Sequence, residues 1–339
     1  MWAGWGSRGA RHTRGSGLRF AGITLRGGAM EIGWRLRPGD SPGSLCGVRL
    51  RVGGEWHPVQ VVPRDDTEDE APVGTLRVPL PETDPPWSME GYGPDGPWSQ
   101  EVSTDPLVLD DYRQSMPVSP SPGSVAERGG VRVVLDRLAA RSDRLVVFYT
   151  VDVAGAGRYA HQVAPPTLSV GGERWQALPP PVSADGPPSE RPVRDGVAYF
   201  PPQLEVGARA DFAVAEVTVR EPLALQTRIG IPDTLPAIVE PQMDLPSGHR
   251  IEEVVFTRNG LVIRVTGGAA MESSVLFPLL RTDEGRTLLS AGGLSGPSST
   301  VALFGPVPPA ARELVLERAL IHAEVRGPWR MRFPVPMPL

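Results

Sequence analysis

The sequence predicts an all-β fold built from tandem immunoglobulin-like β-sandwich modules, three in number with the first diverged. Three observations predict it. Gly and Pro number 39 each in 339 residues, a turn chemistry that suits many short strands better than long helices. Three stretches open on a glycine and read as a β-hairpin, at Gly17, Gly130 and Gly248. These glycines lie 113 and 118 residues apart, the period of a sandwich domain of ~100 residues.

The elements follow in chain order. Residues 1–16 are basic and read as a mobile, solvated terminus. The first module spans 17–115 and opens with the hairpin GLRFAGITLRGGAMEIGWRLRP, turning at Gly27-Gly28. Leu50 to Trp56 reads as a strand, a Gly53-Gly54 turn and a second strand. Gly74 to Leu80 is a further strand. The stretch that follows, PETDPPWSMEGYGPDGPWSQEV, is rich in Pro, Gly and Trp, and the closing strands of this module are not assigned. The module is either complete but diverged, or incomplete and resting on its neighbour.

A Pro/Ser/Gly linker is expected over 116–129 and a second module over 130–222. Its hairpin, GVRVVLDRLAARSDRLVVFYTVDVAG, turns near Arg141 to Asp143, and its β-branched and aromatic residues fit a half-buried pleated surface. Leu168 to Trp175 repeats the Gly-Gly element of the first module with one inserted residue. Gly196 to Pro201 and Phe212 to Val219 complete this copy. A second linker is expected over 223–247 and the third module over 248–339. Its hairpin, GHRIEEVVFTRNGLVIRVTG, holds Asn259-Gly260, a pair suited to the positive φ angles of a tight turn. Leu279 to Leu289 turns at Asp283-Glu284-Gly285, and Ser299 to Phe304 and Glu313 to Pro334 supply further strands. The repeat favours strands at Val131 to Arg141 and Pro308 to Arg326, with a short helix the competing reading at either.

Composition narrows function. All 34 basic residues are Arg and the net charge is −5, which gives no general attraction to nucleic acid. The single cysteine, Cys46, allows no intrachain disulfide and is expected as a small buried hydrophobe. No apolar run approaches the ~18 residues of a membrane span, and no signal peptide is visible. No cofactor is expected.

No catalytic signature emerges: the sequence lacks G-x-S-x-G, a phosphate-binding P-loop, H-E-x-x-H and C-x-x-C. The histidines, His12, His57, His161, His249 and His322, form no local metal pair. The acidic run Asp65-Asp66-Thr67-Glu68-Asp69-Glu70 lacks the ligand spacing and glycine of a calcium loop and reads as a solvated connection. Asp110-Asp111 and Asp136/Asp143 are carboxylate pairs with nothing to indicate a shared cleft. Trp34, Trp56, Trp175 and Trp329 are expected in sandwich cores. Trp87, Tyr92 and Trp98 are the candidate partner or glycan contacts, weighed against packing on the first sandwich, which is preferred.

The hairpin GVRVVLDRLAARSDRLVVFYTVDVAG, with APPTLSVGGERW, DGVAYFPP, LFGPVPPAARELVLE and GPWRMRFPVP after it, carries a family resemblance. Residues 130–336 resemble the immunoglobulin-like domain-of-unknown-function modules in ectodomains of anti-sigma-factor-like proteins of Gram-positive bacteria. The resemblance implies an extracytoplasmic, non-catalytic structural or interaction module, the sensory ectodomain of a cell-envelope regulator. The alternative is a carbohydrate-binding or adhesive sandwich protein. Either implies an unidentified protein or an envelope glycan as partner. The sequence departs from the family layout in holding neither its membrane span nor its cytoplasmic region.

Overall fold

The computed structural model describes residues 19–26, 28–35, 45–52, 54–64, 73–93, 96–102, 106–155, 158–178, 196–201, 205–245, 248–267, 273–277, 279–295 and 299–338. The basic arm 1–16, His12 and the acidic run 65–70 lie outside them, as do the side chains of Cys46 and His161.

Alternating and β-branched runs become strands throughout, so the chain is all-β as the sequence predicts. In the first module the strands are β1 (Arg19–Arg26), β2 (Ala29–Arg35), β3 (Cys46–Val52), β4 (Glu55–Pro58), β5 (Gln60–Arg64), β6 (Val73–Pro79), β7 (Trp87–Gly93) and β8 (Gly96–Val102). They form two four-stranded sheets, β1-β2-β6-β5 and β4-β3-β7-β8. The Pro/Gly/Trp-rich stretch therefore supplies the missing strands, since β7 and β8 pair as a hairpin from Trp87↔Val102 to Gly93↔Gly96. A short helix, α1 (Pro106–Gln114), follows.

Next come β9 (Met116–Pro117), β10 (Val125–Arg128), β11 (Val131–Ala140), β12 (Leu145–Val153), β13 (Tyr159–Val163), β14 (Thr167–Val170), β15 (Glu173–Gln176), β16 (Val197–Phe200) and β17 (Arg209–Gly230). β10-β11-β12-β16 form one sheet, with β9 also on β11. The segment expected as the first linker thus carries two short strands. Its Pro and Gly residues mark the turns around them.

The remaining strands are β18 (Ala237–Val239), β19 (Met243–Asp244), β20 (His249–Thr257), β21 (Gly260–Gly267), β22 (Ser273–Leu276), β23 (Leu279–Thr282), β24 (Thr287–Ser295), β25 (Ser299–Phe304) and β26 (Glu313–Pro334). Their pairing follows the path β23-β24-β25-β21-β20-β18. The second expected linker holds β18 and β19, both paired to β20, and the end of β17. The two segments with helix as a competing reading are strands β11 and β26.

All three glycine-led hairpins form, and they share a feature the sequence does not announce. In each first strand the register shifts by one residue: at Ala21 between Phe20 and Gly22, at Asp136 between Leu135 and Arg137, and at Glu252 between Ile251 and Glu253. The third turn sits one residue earlier than expected. Thr257 pairs with Gly260 across Arg258-Asn259. Gly260 is needed for space rather than for its φ, because a Cβ there would lie 2.5 Å from the Phe304 carbonyl oxygen.

Two compact units result. The first contains residues 1–155, 162–217 and 326–339; the second contains 156–161 and 218–325. In the second unit Ile251, Val254, Phe256, Leu261, Ile263 and Leu280 form the centre of the core. In the first unit the core of the first module, around Trp34, Leu50, Leu76 and Met89, runs on into Ala139, Val146, Phe148, Val197 and Tyr199. The β11-β12-β16 sheet is therefore covered on both faces. Its other face holds Tyr149 and Phe200 against Phe212 of β17, at ring centroid distances of 5.4 Å and 6.2 Å. The unbroken apolar run LVVFY in β12 is the sequence signature of a strand buried on both sides.

Helix α1 joins these parts. Its Tyr112 ring meets Phe148 edge-on at 5.0 Å, and its hydroxyl accepts a hydrogen bond from the Gly28 amide, 2.8 Å away. Asp111 is fully buried and receives Arg141 at 3.0 Å and Arg144 at 3.0 Å, both from the β11–β12 turn. Burial pulls the Arg144 pKa down, but the charge of Asp111 and its hydrogen bonds raise it above its ordinary value. Arg113 donates to the Pro81 and Thr83 carbonyls at 2.8 Å and 2.6 Å and pairs with Asp84 at 2.5 Å, fixing the lead into β7.

Candidate functional site

The outer face of β4-β3-β7-β8 carries a concavity of ligand-site size. Strand alternation sets its chemistry. On β3, Val48, Leu50 and Val52 are buried, which turns Arg49 and Arg51 outward. On β7, Trp87 and Met89 are buried, which turns Ser88, Glu90 and Tyr92 outward. The registers align these side chains in rows across the sheet. Pro58, Arg49, Glu90 and Ser99 form the central row, polar at its last three positions. A row bearing Trp56 opposite Arg51 flanks it on one side. A row bearing Tyr92 opposite Pro97 flanks it on the other.

The result is a trough of about 750 Å³ with an aromatic side chain on each flank, within the ~300–1,000 Å³ of small-ligand sites. Arg49 lies 4.3 Å over the Trp56 ring and Arg51 lies 5.6 Å from it. Arg49 also faces Glu90, with Nη2 and Oε2 3.7 Å apart. A bulge in β3 between Cys46 and Arg49 shapes one end. Gly47 adopts φ +58° there, a backbone that side chains rarely take.

The three aromatic residues singled out in the sequence fall in two environments. Tyr92 is 59% exposed at the trough rim. Trp87 and Trp98 are buried, at 2% and 5%, and sit in strands rather than in a loop. The Trp87 indole donates to the Thr83 carbonyl oxygen at 3.2 Å. Trp98 lies against Gly91 and forms the trough wall from beneath.

Of the tryptophans expected in cores, Trp34 and Trp329 are there, each 1% exposed, with the Trp329 indole donating to the Val131 carbonyl oxygen at 3.0 Å. Trp56 is not: it is 36% exposed. The reason is register. The Gly53-Gly54 turn pairs Val52 with Glu55 and therefore Arg51 with Trp56, on the outward face. In the second module the inserted Arg174 shifts the tryptophan by one, so Trp175 pairs with buried Leu168 and is half-buried. A one-residue shift moves a side chain to the opposite face. Arg49, Trp56 and Glu90 are the site residues that sequence reading missed. Their shared parity about the Gly-Gly turn was the signal.

The other candidates do not converge. Asp110 and Asp111 bind Arg141 and Arg144, Asp143 binds Arg144, and Asp136 accepts from Thr150 Oγ1 at 2.5 Å. His57 borders the trough, while buried His249 lies 3.3 Å from the Ser273 carbonyl oxygen. Among the described residues no three His, Cys, Asp or Glu side chains come together in a metal-binding group. No helix there is long and apolar enough to cross a membrane.

No family model matches the chain, and no curated protein matches it. Among solved structures it is similar to a conserved domain protein from Bacillus anthracis, at 9% identity over 60% of this chain and 76% of that one, with a TM-score of 0.18. It is also similar to the N-terminal eight Ig domains of Down Syndrome Cell Adhesion Molecule, at 9% identity over 96% of this chain and 42% of that one, TM-score 0.17. A third is the I-band fragment I67-I69 from titin, at 10% identity over 95% and 99%, TM-score 0.15. The fold assignment rests on the chain's own sheets.

Proposed function

We propose that the protein is a non-catalytic interaction module of the cell envelope that engages its partner through the outer face of β4-β3-β7-β8. The observation that carries this reading is the trough flanked by Trp56 and Tyr92, with Arg49 and Glu90 between them. Large aromatic groups left in water beside charged ones are suited to partner contact. The finer reading, a sensory ectodomain of a regulator resembling anti-sigma factors, draws its support from the resemblance of residues 130–336. Co-sedimentation of the full chain with purified Gram-positive cell walls tests the proposal. The walls retain the protein, Trp56→Ala and Tyr92→Ala each reduce the retained fraction, and no soluble fragments are released. Equal retention of both variants, or wall cleavage, overturns it.

A further inference from the structure

We propose that the trough is a binding site for a pyranose oligosaccharide, stacked on Tyr92 and hydrogen-bonded by Arg49 and Glu90. This rests on the reading of the same face as the interaction surface and adds the ligand class. A sugar ring has two kinds of surface. Its C–H face is apolar, and its rim carries hydroxyls that each donate and accept. A site for it needs an exposed aromatic ring next to donors and acceptors with unused capacity.

Tyr92 supplies the ring. Its 59% exposure leaves area to cover. Gly47 lies beside that ring, where a Cβ would stand in ordinary contact with Tyr92 Cδ2 at 3.7 Å. Arg49 and Glu90 supply the polar groups, opposite each other in the register. Their 3.7 Å separation is longer than a hydrogen bond, so each keeps capacity for a ligand. Stacking on Trp56 at 4.3 Å occupies a face of the guanidinium and leaves its in-plane N–H donors free. A donor and an acceptor side by side match two neighbouring hydroxyls.

An aromatic-walled groove also suits a proline-rich peptide. Proline rings have no donor, however. Proline carbonyls can accept from Arg49 but offer Glu90 no donor, and uncompensated desolvation of its charge opposes binding. Sugar hydroxyls supply that donor, which favours the oligosaccharide.

Calorimetric titration of the full chain tests this. The probes are tetrasaccharides of β-1,4-linked glucose, of β-1,4-linked N-acetylglucosamine and of α-1,4-linked galacturonic acid, with decaproline as the peptide arm. Each is repeated on Tyr92→Ala, Glu90→Gln and the control Leu294→Ser, whose side chain is exposed and does not line the trough. The expected result is that a tetrasaccharide binds, the two trough variants weaken it at least tenfold and the control leaves it unchanged. Binding that falls with salt assigns an anionic sugar; salt-independent binding assigns a neutral one. Decaproline binding that disappears in Tyr92→Ala overturns the sugar and retains the face. Sugar binding indifferent to both trough variants overturns the ligand and the face together. Failure of all three tetrasaccharides overturns the sugar assignment, and cell-wall retention then decides the face alone.

Discussion

Gly91 has no side chain because Trp98 occupies the space one would need. A Cβ there would lie 2.7 Å from Cζ2 and 3.0 Å from Cε2 of the indole. The ring is buried, so it has little room to yield. Gly91→Ala is expected to destabilise the protein by ~1–3 kcal/mol, the usual cost of overpacking, measured by urea unfolding. At this scale the sequence is legible wherever parity is. Leu50 and Arg51 separate into core and surface by alternation alone, and Trp56 follows once the Gly53-Gly54 turn fixes the register. What hid Trp56 was its size: a tryptophan in a strand suggests core. Its neighbours Arg49 and Arg51 turn the outward face into a favourable place for an indole, through cation–π contact worth ~0.5–1 kcal/mol at exposed sites.

Helix α1 is nine residues long, too short to be stable by itself. Tertiary contacts hold it, those of Asp111 among them. Its carboxylate is fully buried and meets two guanidinium groups. Asp111→Ala would leave Arg141 and Arg144, 16% and 20% exposed, with only the exposed Asp110 and Asp143 as acidic partners. Breaking a buried pair from one side costs ~3–5 kcal/mol. The expected outcome is that loss, with faster amide hydrogen exchange across α1 and the lead into β7. Sequence reading missed this element because nine residues are too few to display a helical period and the repeat assigned no helix to the first module.

The turn between β23 and β24 gives a pH signature. Asp283 is held below the usual carboxylate value of 3.8, chiefly by accepting a hydrogen bond from the Arg312 backbone amide. A carboxylate whose pKa is lower folded than unfolded stabilises the fold above the unfolded value. That contribution is lost as pH falls through the folded value. Thermal unfolding of Asp283→Asn against the parent is expected to show a deficit at neutral pH that narrows below about pH 3.8. A deficit constant across the acid range contradicts the assignment.

At the scale of the molecule, the tandem hairpins and their period are plain in the sequence, whereas the sharing of cores is not. Periodicity reports which residues point inward within a strand. It does not report which neighbour covers them. The run in β12 was the available clue, since a strand apolar on both faces must be covered twice. Phe148, Val146 and Tyr199 are buried in the core of the first module. A fragment of residues 130–339 is therefore expected to expose that face. It should bind a hydrophobic dye and melt below the full chain, as followed by dye fluorescence and calorimetry. The same sheet logic divides labour in β4-β3-β7-β8: the inner face holds the module together and the outer face carries the trough. Urea unfolding of Trp87→Ala, Trp98→Ala, Trp56→Ala and Tyr92→Ala, side by side, tests that division most directly. The expected result is a loss of ~3–5 kcal/mol for Trp87 and Trp98, the cost of emptying a buried aromatic site, and less than ~1 kcal/mol for Trp56 and Tyr92. Equal losses on both faces, or none on the inner one, would contradict it.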